Sequence, residues 1–129
     1  MLEFDADIET IDNGIWMPYE GSKFLIAHMS NKKFQRALAR NQQPYRKKLE
    51  NGTLDPEINK AALCKSMAEG ILLDWKDVVS KGSKTPVTYT VDNACTALMK
   101  NVEFRDFISE VAMNMANFKS EEVQDLGNA

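Results

Sequence analysis

Asp55-Pro56-Glu57 fixes where one long helix has to begin. The aspartate side chain can accept from the first free backbone N–H groups, and proline at the first helical position gives up an N–H that has no partner anyway. The glutamate then faces the positive end of the helix dipole. Downstream, Ile58, Ala61, Ala62, Cys64, Ala68, Ile71 and Leu72 fit helical spacing and make a broad apolar face, with small residues that permit close packing. This apolar run is expected to continue as the end of a helix arriving at Trp75. A polar loop, Ser80-Lys81-Gly82-Ser83-Lys84-Thr85, follows, and Pro86-Val87-Thr88-Tyr89-Thr90 leads into the next helix. Pro86 biases Thr85 towards an extended backbone. Residues 71–90 therefore read as a joint between the first helices and the last, with Trp75 and Tyr89 pinning its two ends.

On the N-terminal side, Ile15-Trp16-Met17-Pro18-Tyr19 and Lys23-Phe24-Leu25-Ile26-Ala27-His28 flank Glu20-Gly21-Ser22, the pattern of a β-hairpin. Pro18 cannot donate a ladder hydrogen bond, which places its strand at an edge. Ser30 or Asn31 can cap a helix from Lys32, with Phe34, Leu38, Asn41, Tyr45 and Leu49 as its inward stripe. Pro44 must kink or restart that helix, and Asn51-Gly52 ends it. After the joint, Thr90 caps a short helix with Val91, Ala94, Cys95, Leu98 and Met99 at helical spacing. A last helix puts Phe104, Phe107, Ile108, Val111, Ala112, Met115 and Phe118 on one face. The expected fold is mostly α (α+β): an N-terminal β-hairpin followed by about four helices in a small single domain over residues 1–129. Residues 1–13 form an acidic arm and 119–129 an acidic tail, and both are expected to be mobile. A length of 129 residues with 43% hydrophobic side chains leaves room for one real core.

The residues offer little chemistry. No GxGxxG or GxxxxGK cradles a phosphate, and Gly82 stands alone. His28 has no serine, cysteine or carboxylate placed near it by a motif, so it reads as a satisfied histidine at a strand end. Asp55 with Glu57 is explained by helix capping, and Asp74 with Asp77 by a solvated helix end. Cys64 and Cys95 fall on apolar stripes and read as reduced core thiols; with one histidine and no CxxC, a zinc site has almost no ligands. The chain is expected to be non-enzymatic and without cofactor. No apolar run approaches a membrane span, and the acidic N-terminus is unlike a secretory signal, so the expected location is the cytoplasm.

Charge is more informative. The net value of −3 hides a segregation: six acids and no base from Met1 to Ser22, then seven bases and no acid from Lys32 to Lys48. Arg36, Arg40, Arg46, Lys47 and Lys48 are candidates for a docking face towards an acidic partner, the acidic arm of this or a neighbouring copy being the nearest such segment. Nucleic acid is the competing partner for this helix. Against it stand the acidic balance of the whole chain and aromatics (Phe34, Tyr45) that lie on the buried stripe and leave no stacking platform. Trp75 and Tyr89 are the other candidates: large amphipathic rings either lock a turn into the core, the favoured reading, or anchor a partner.

Taken in order, certain residues carry a resemblance. Gly14-Ile15-Trp16 leads into the hairpin, Phe34 runs through Pro44-Tyr45-Arg46-Lys47, and Gly52-Thr53-Leu54-Asp55-Pro56-Glu57 opens the long helix. Leu72-Leu73-Asp74-Trp75, Pro86-Val87-Thr88-Tyr89 and Asp92-Asn93-Ala94 follow, and Phe104-Arg105-Asp106-Phe107-Ile108 closes at Ala116-Asn117-Phe118. Over about Gly14 to Phe118 the chain resembles the small tail assembly chaperones of long-tailed, non-contractile bacteriophages and prophages. The resemblance implies a non-enzymatic protein of the host bacterial cytoplasm, absent from the mature virion. Such a protein coats the tape measure protein, keeps it soluble and helps recruit subunits of the major tail tube protein during tail morphogenesis. It also implies, for many members, a longer product made by ribosomal frameshifting near the end of the gene. Self-association, acidic arm to basic helix, is compatible with this role. A permanent head–tail joining protein is the structural alternative, distinguished by its presence in purified virions.

Overall fold

The computed structural model describes residues 8–119. In chain order the elements are α1 (Ile8–Asn13), β1 (Ile15–Tyr19), β2 (Ser22–Ile26) and α2 (Lys32–Gln42). A 3-10 turn (Gln43–Tyr45) leads to α3 (Arg46–Glu50), α4 (Pro56–Gly70) and β3 (Leu72–Lys76). α5 (Val91–Lys100), α6 (Val102–Met113) and a second 3-10 turn (Met115–Phe118) complete the described chain. The fold is a small α+β domain in which helices cover one face of a three-stranded antiparallel sheet.

The hairpin forms as its sequence requires. β1 and β2 pair from Ile15↔Ile26 to Tyr19↔Ser22, across a Glu20-Gly21 turn with both residues at positive φ (48° and 83°). This two-residue turn matches the twist of the strands, and its second position suits glycine. Pro18 pairs with Lys23, one step from the pair that closes the turn. Antiparallel pairs alternate between hydrogen-bonded and not, so the N–H that proline lacks is one that would have pointed away from β2. The sheet order β1-β2-β3 makes β1 an edge.

The third strand corrects the expectation that a helix runs on to Trp75. α4 stops at Gly70, and the residues after it pair with the free side of β2: Leu72 with Ile26, Asp74 with Leu25, Trp75 with Phe24. Leu73 is the extra residue of a bulge at this register shift. The bulge brings Leu72 and Trp75, three residues apart, onto the same buried side (0% and 7% exposed). A spacing of three imitates a helix, and no period-two alternation survives to announce a strand.

A second correction concerns the arm. Residues 8–13 are helical, and Ile11 is buried at the end of β2, where its carbonyl accepts from the His28 N–H (3.1 Å). A helix of six residues leaves little periodicity to read. The rest of the arm and the tail after Lys119 lie outside the described residues.

α2 begins at Asn31, whose Oδ1 accepts from the Phe34 N–H (2.9 Å) while its Nδ2 donates to the carbonyls of His28 (2.6 Å) and Gly70 (2.9 Å). Gly70 has no room for a side chain, because a Cβ there would overlap the backbone of Phe34. The start of α2 is thus pressed directly onto the end of α4. Phe34 and Ala37 are buried beneath it, but the expected stripe does not reach Leu49, which is 38% exposed. The 3-10 turn at Pro44 shifts the helical phase before α3 begins. Asp55, Thr90 and Asn101 cap α4, α5 and α6 through the N–H groups of Glu57, Asn93 and Phe104. Phe24, Ile26, Leu72, Leu98, Phe104 and Ile108 form the centre of one continuous core. Two further departures lie on its margin. Ile58 and Ala61 of α4 face solvent, and Met115, expected inside, is exposed, whereas Phe118 is fully buried.

Candidate functional site

With Phe34 and Ala37 turned into the core, the remaining sides of α2 face solvent, and they carry Lys32, Lys33, Arg36 and Arg40. Arg36 and Arg40 are four residues apart and stand one above the other. Arg46, Lys47 and Lys48 fill α3, all exposed. All five predicted bases are thus exposed, two on α2 and three on α3, on either side of the break at Pro44. The structure also distinguishes among them. Arg40 is ion-paired with Glu69 of α4, a carboxylate held from the other side by Asn41 Nδ2 (3.1 Å). Among the described residues, Arg36, Arg46, Lys47 and Lys48 form no ion pair, and neither do Lys32 and Lys33. Exposed pairs contribute at most about 1 kcal/mol, so stability does not explain this accumulation of like charge.

Beside the basic surface lies a groove of about 600 Å³ between the 3-10 turn after α2, α4 and α5. Pro44, Tyr45, Ile58, Ala61 and Met99 give it an apolar lining, and Arg40 and Lys65 share it. Sequence reasoning missed this groove because it assigned Ile58 and Ala61 to the core. A signal was present: Lys65 falls on the same helical stripe, at the seventh position after Ile58, where a core face does not take a cation.

Trp75 and Tyr89 lie elsewhere, on β3 and on the segment before α5, and they are brought together with each other. Their rings meet edge to face at 5.3 Å. The Trp75 indole N–H donates to the Val87 carbonyl (2.8 Å), and the Tyr89 hydroxyl donates to Leu72 O (2.7 Å), with Ala68 O at 3.1 Å. Burial, and then the charge of Asp74, raise the Tyr89 pKa above its usual value. The loop between them is itself a small antiparallel ribbon, in which Ser80 N donates to Thr85 O and Val87 N to Val78 O (both 2.8 Å). The two rings pin that ribbon to β3 and α4. At 7% exposure, Trp75 offers little of its ring to a partner.

His28 is buried at the end of β2. Its Nδ1 accepts from the Ser30 N–H (3.0 Å) and lies 2.7 Å from Ser30 Oγ, while its ring meets Phe118 edge to face. Cys64 is buried and Cys95 half-buried; both are free thiols whose pKa is raised first by burial. Among the described residues no cluster of three metal-ligating side chains occurs, and no helix is long and apolar enough to cross a membrane.

Residues 29–128 match the family described as YdaY prophage protein. The match takes in most of the chain, and the chain belongs to that family. No curated protein and no solved structure matches it.

Proposed function

We propose that this member of the YdaY prophage protein family is a non-enzymatic tail assembly chaperone that docks the tape measure protein on the basic surface of α2 and α3. The observation that carries the reading is that Arg36, Arg46, Lys47 and Lys48 stand exposed on α2 and α3 and form no ion pair among the described residues, in a chain whose net charge is −3. Like charges gathered without internal partners lower stability slightly and favour an anionic partner. The ordered resemblance from Gly14 to Phe118 supports assigning that partner to tail building, and the prophage family supports the phage context. The protein acts in the host cytoplasm, helps bring tail tube subunits to the tape measure and leaves before the virion is complete. A longer frameshifted product would carry the contact to the tube protein.

The test is retention of the tape measure protein encoded by the same prophage on the immobilised chain. Reversing Arg36, Arg46, Lys47 and Lys48 to glutamate, and leaving Arg40 with Glu69, should abolish retention while the circular dichroism spectrum is unchanged. Unchanged retention and unchanged self-association would sink the reading. A salt titration against duplex and single-stranded DNA tests the competing partner: tight binding that weakens steeply with salt would make the surface a nucleic-acid site instead.

A further inference from the structure

The apolar stripe on the solvent side of α4 serves neither the core nor the charged surface. Ile58, Ala61 and Lys65 stand at i, i+3 and i+7, and Ile58 is 39% exposed. An outer helix face in a small domain is ordinarily polar. Here the stripe is the floor of the 600 Å³ groove, with Pro44 and Tyr45 as one wall and Met99 of α5 as the other. From Glu57 to Lys65 the floor spans nine residues, about 12 Å or two turns of helix. Small side chains at Ala61 and Ala62 let another backbone come close.

Charge around the groove is one-sided. Its acid, Glu57, is paired with Lys60 (3.1 Å), and the neighbouring Glu69 is paired with Arg40. Lys65 and the bases of α3 have no such partner among the described residues. The groove is lined by helical elements and offers no strand edge for an extended peptide to pair with, whereas a helix brings its backbone hydrogen bonds with it.

We propose that this groove docks an amphipathic helix of a partner protein, seating the partner's apolar stripe on Ile58, Ala61 and Met99 and its acidic flanks against Lys65 and the α3 bases. The inference deepens the chaperone reading by naming the recognition mode, and it rests on that reading only for the identity of the partner. The probe is a fluorescent 20-residue amphipathic helix with a leucine stripe flanked by glutamates, alongside the same peptide with lysine flanks. Fluorescence anisotropy should show the acidic probe binding and the lysine probe failing to bind. Ala61→Trp fills the groove from an exposed position and should weaken the acidic probe at least about tenfold, while Ala61→Ser should bind as the parent does. If Ala61→Trp misfolds by circular dichroism, Ile58→Gln decides in its place. No binding of the acidic probe, equal binding of both probes, or undiminished binding to the filled groove each overturns the proposal. The two readings part in the tape measure assay. Retention that survives Ala61→Trp removes the groove and leaves the chaperone, and probe binding without any retention does the reverse.

Discussion

Just past β2 the backbone N–H groups of three successive residues reach three different elements. Ala27 donates to Ile71 O (2.9 Å), His28 to Ile11 O (3.1 Å) and Met29 to Ala112 O (3.0 Å), so α1, the junction of α4 with β3, and α6 are tied at one point. The His28 side chain fills the centre of this knot against Phe118 and Ser30. Nδ1 accepts from a backbone N–H, which puts the neutral ring's proton on Nε2. Burial lowers the pKa of the ring below its usual 6.5, so the unfolded chain takes up a proton before the folded one does. The stabilising contribution is therefore complete above the unfolded value. It is lost as pH falls through the folded value and is constant below it. As the pH falls from about 7, the melting temperature should drop more steeply for the parent than for His28→Asn, whose Oδ1 can still accept from Ser30 N–H. Parallel profiles would show that charging His28 costs the fold nothing.

At the scale of elements, the helix starts were legible because capping is local chemistry: Asn31, Asp55 and Thr90 each accept from an N–H two or three residues on. The hairpin was legible for the same reason, in Pro18 and Gly21. What could not be read was decided by distant partners. β3 is a strand because β2 offers it a free edge, and its bulge hides the alternation that would have identified it. The groove beside α4 depends on where α5 and the turn at Pro44 come to rest, which no local signal states. The basic bases were visible as a run, but the pairing of Arg40 with Glu69 was not, since the two are far apart in sequence. Trp75 shows what the hidden strand is worth. It packs edge to face on Phe24 (6.3 Å) as well as on Tyr89, and it holds the ribbon through Val87. Trp75→Ala should cost about 3–5 kcal/mol in urea unfolding. Trp75→Phe keeps an aromatic ring and strands the Val87 carbonyl, and it should cost less than the alanine change. Equal costs would place the value of Trp75 in its hydrogen bond and not in its packing.

Across the whole molecule, charge and core are kept apart. The core runs without a break from the hairpin through α2, α4 and β3 to α5 and α6, while the exposed bases of α2 and α3 lie outside it. One continuous core implies one unfolding transition. Trp75 can report it in a Trp16→Phe background, because Trp16 is 39% exposed on the outer face of the sheet, with Lys76 Nζ 4.3 Å from its ring centre. Its fluorescence, which follows the sheet, should change at the same urea concentration as the far-ultraviolet circular dichroism, which follows the helices. The same separation predicts that reversing Arg36, Arg46, Lys47 and Lys48 lowers the unfolding free energy by no more than about 2 kcal/mol, that is about 0.5 kcal/mol for each surface substitution. Relief of like-charge crowding among the four would, if anything, be replaced by an equal crowding of acids. A larger loss, or two separated transitions, would mean that α2 and α3 unfold by themselves. Failure of that variant to hold a partner would then report a missing helix and not a missing charge.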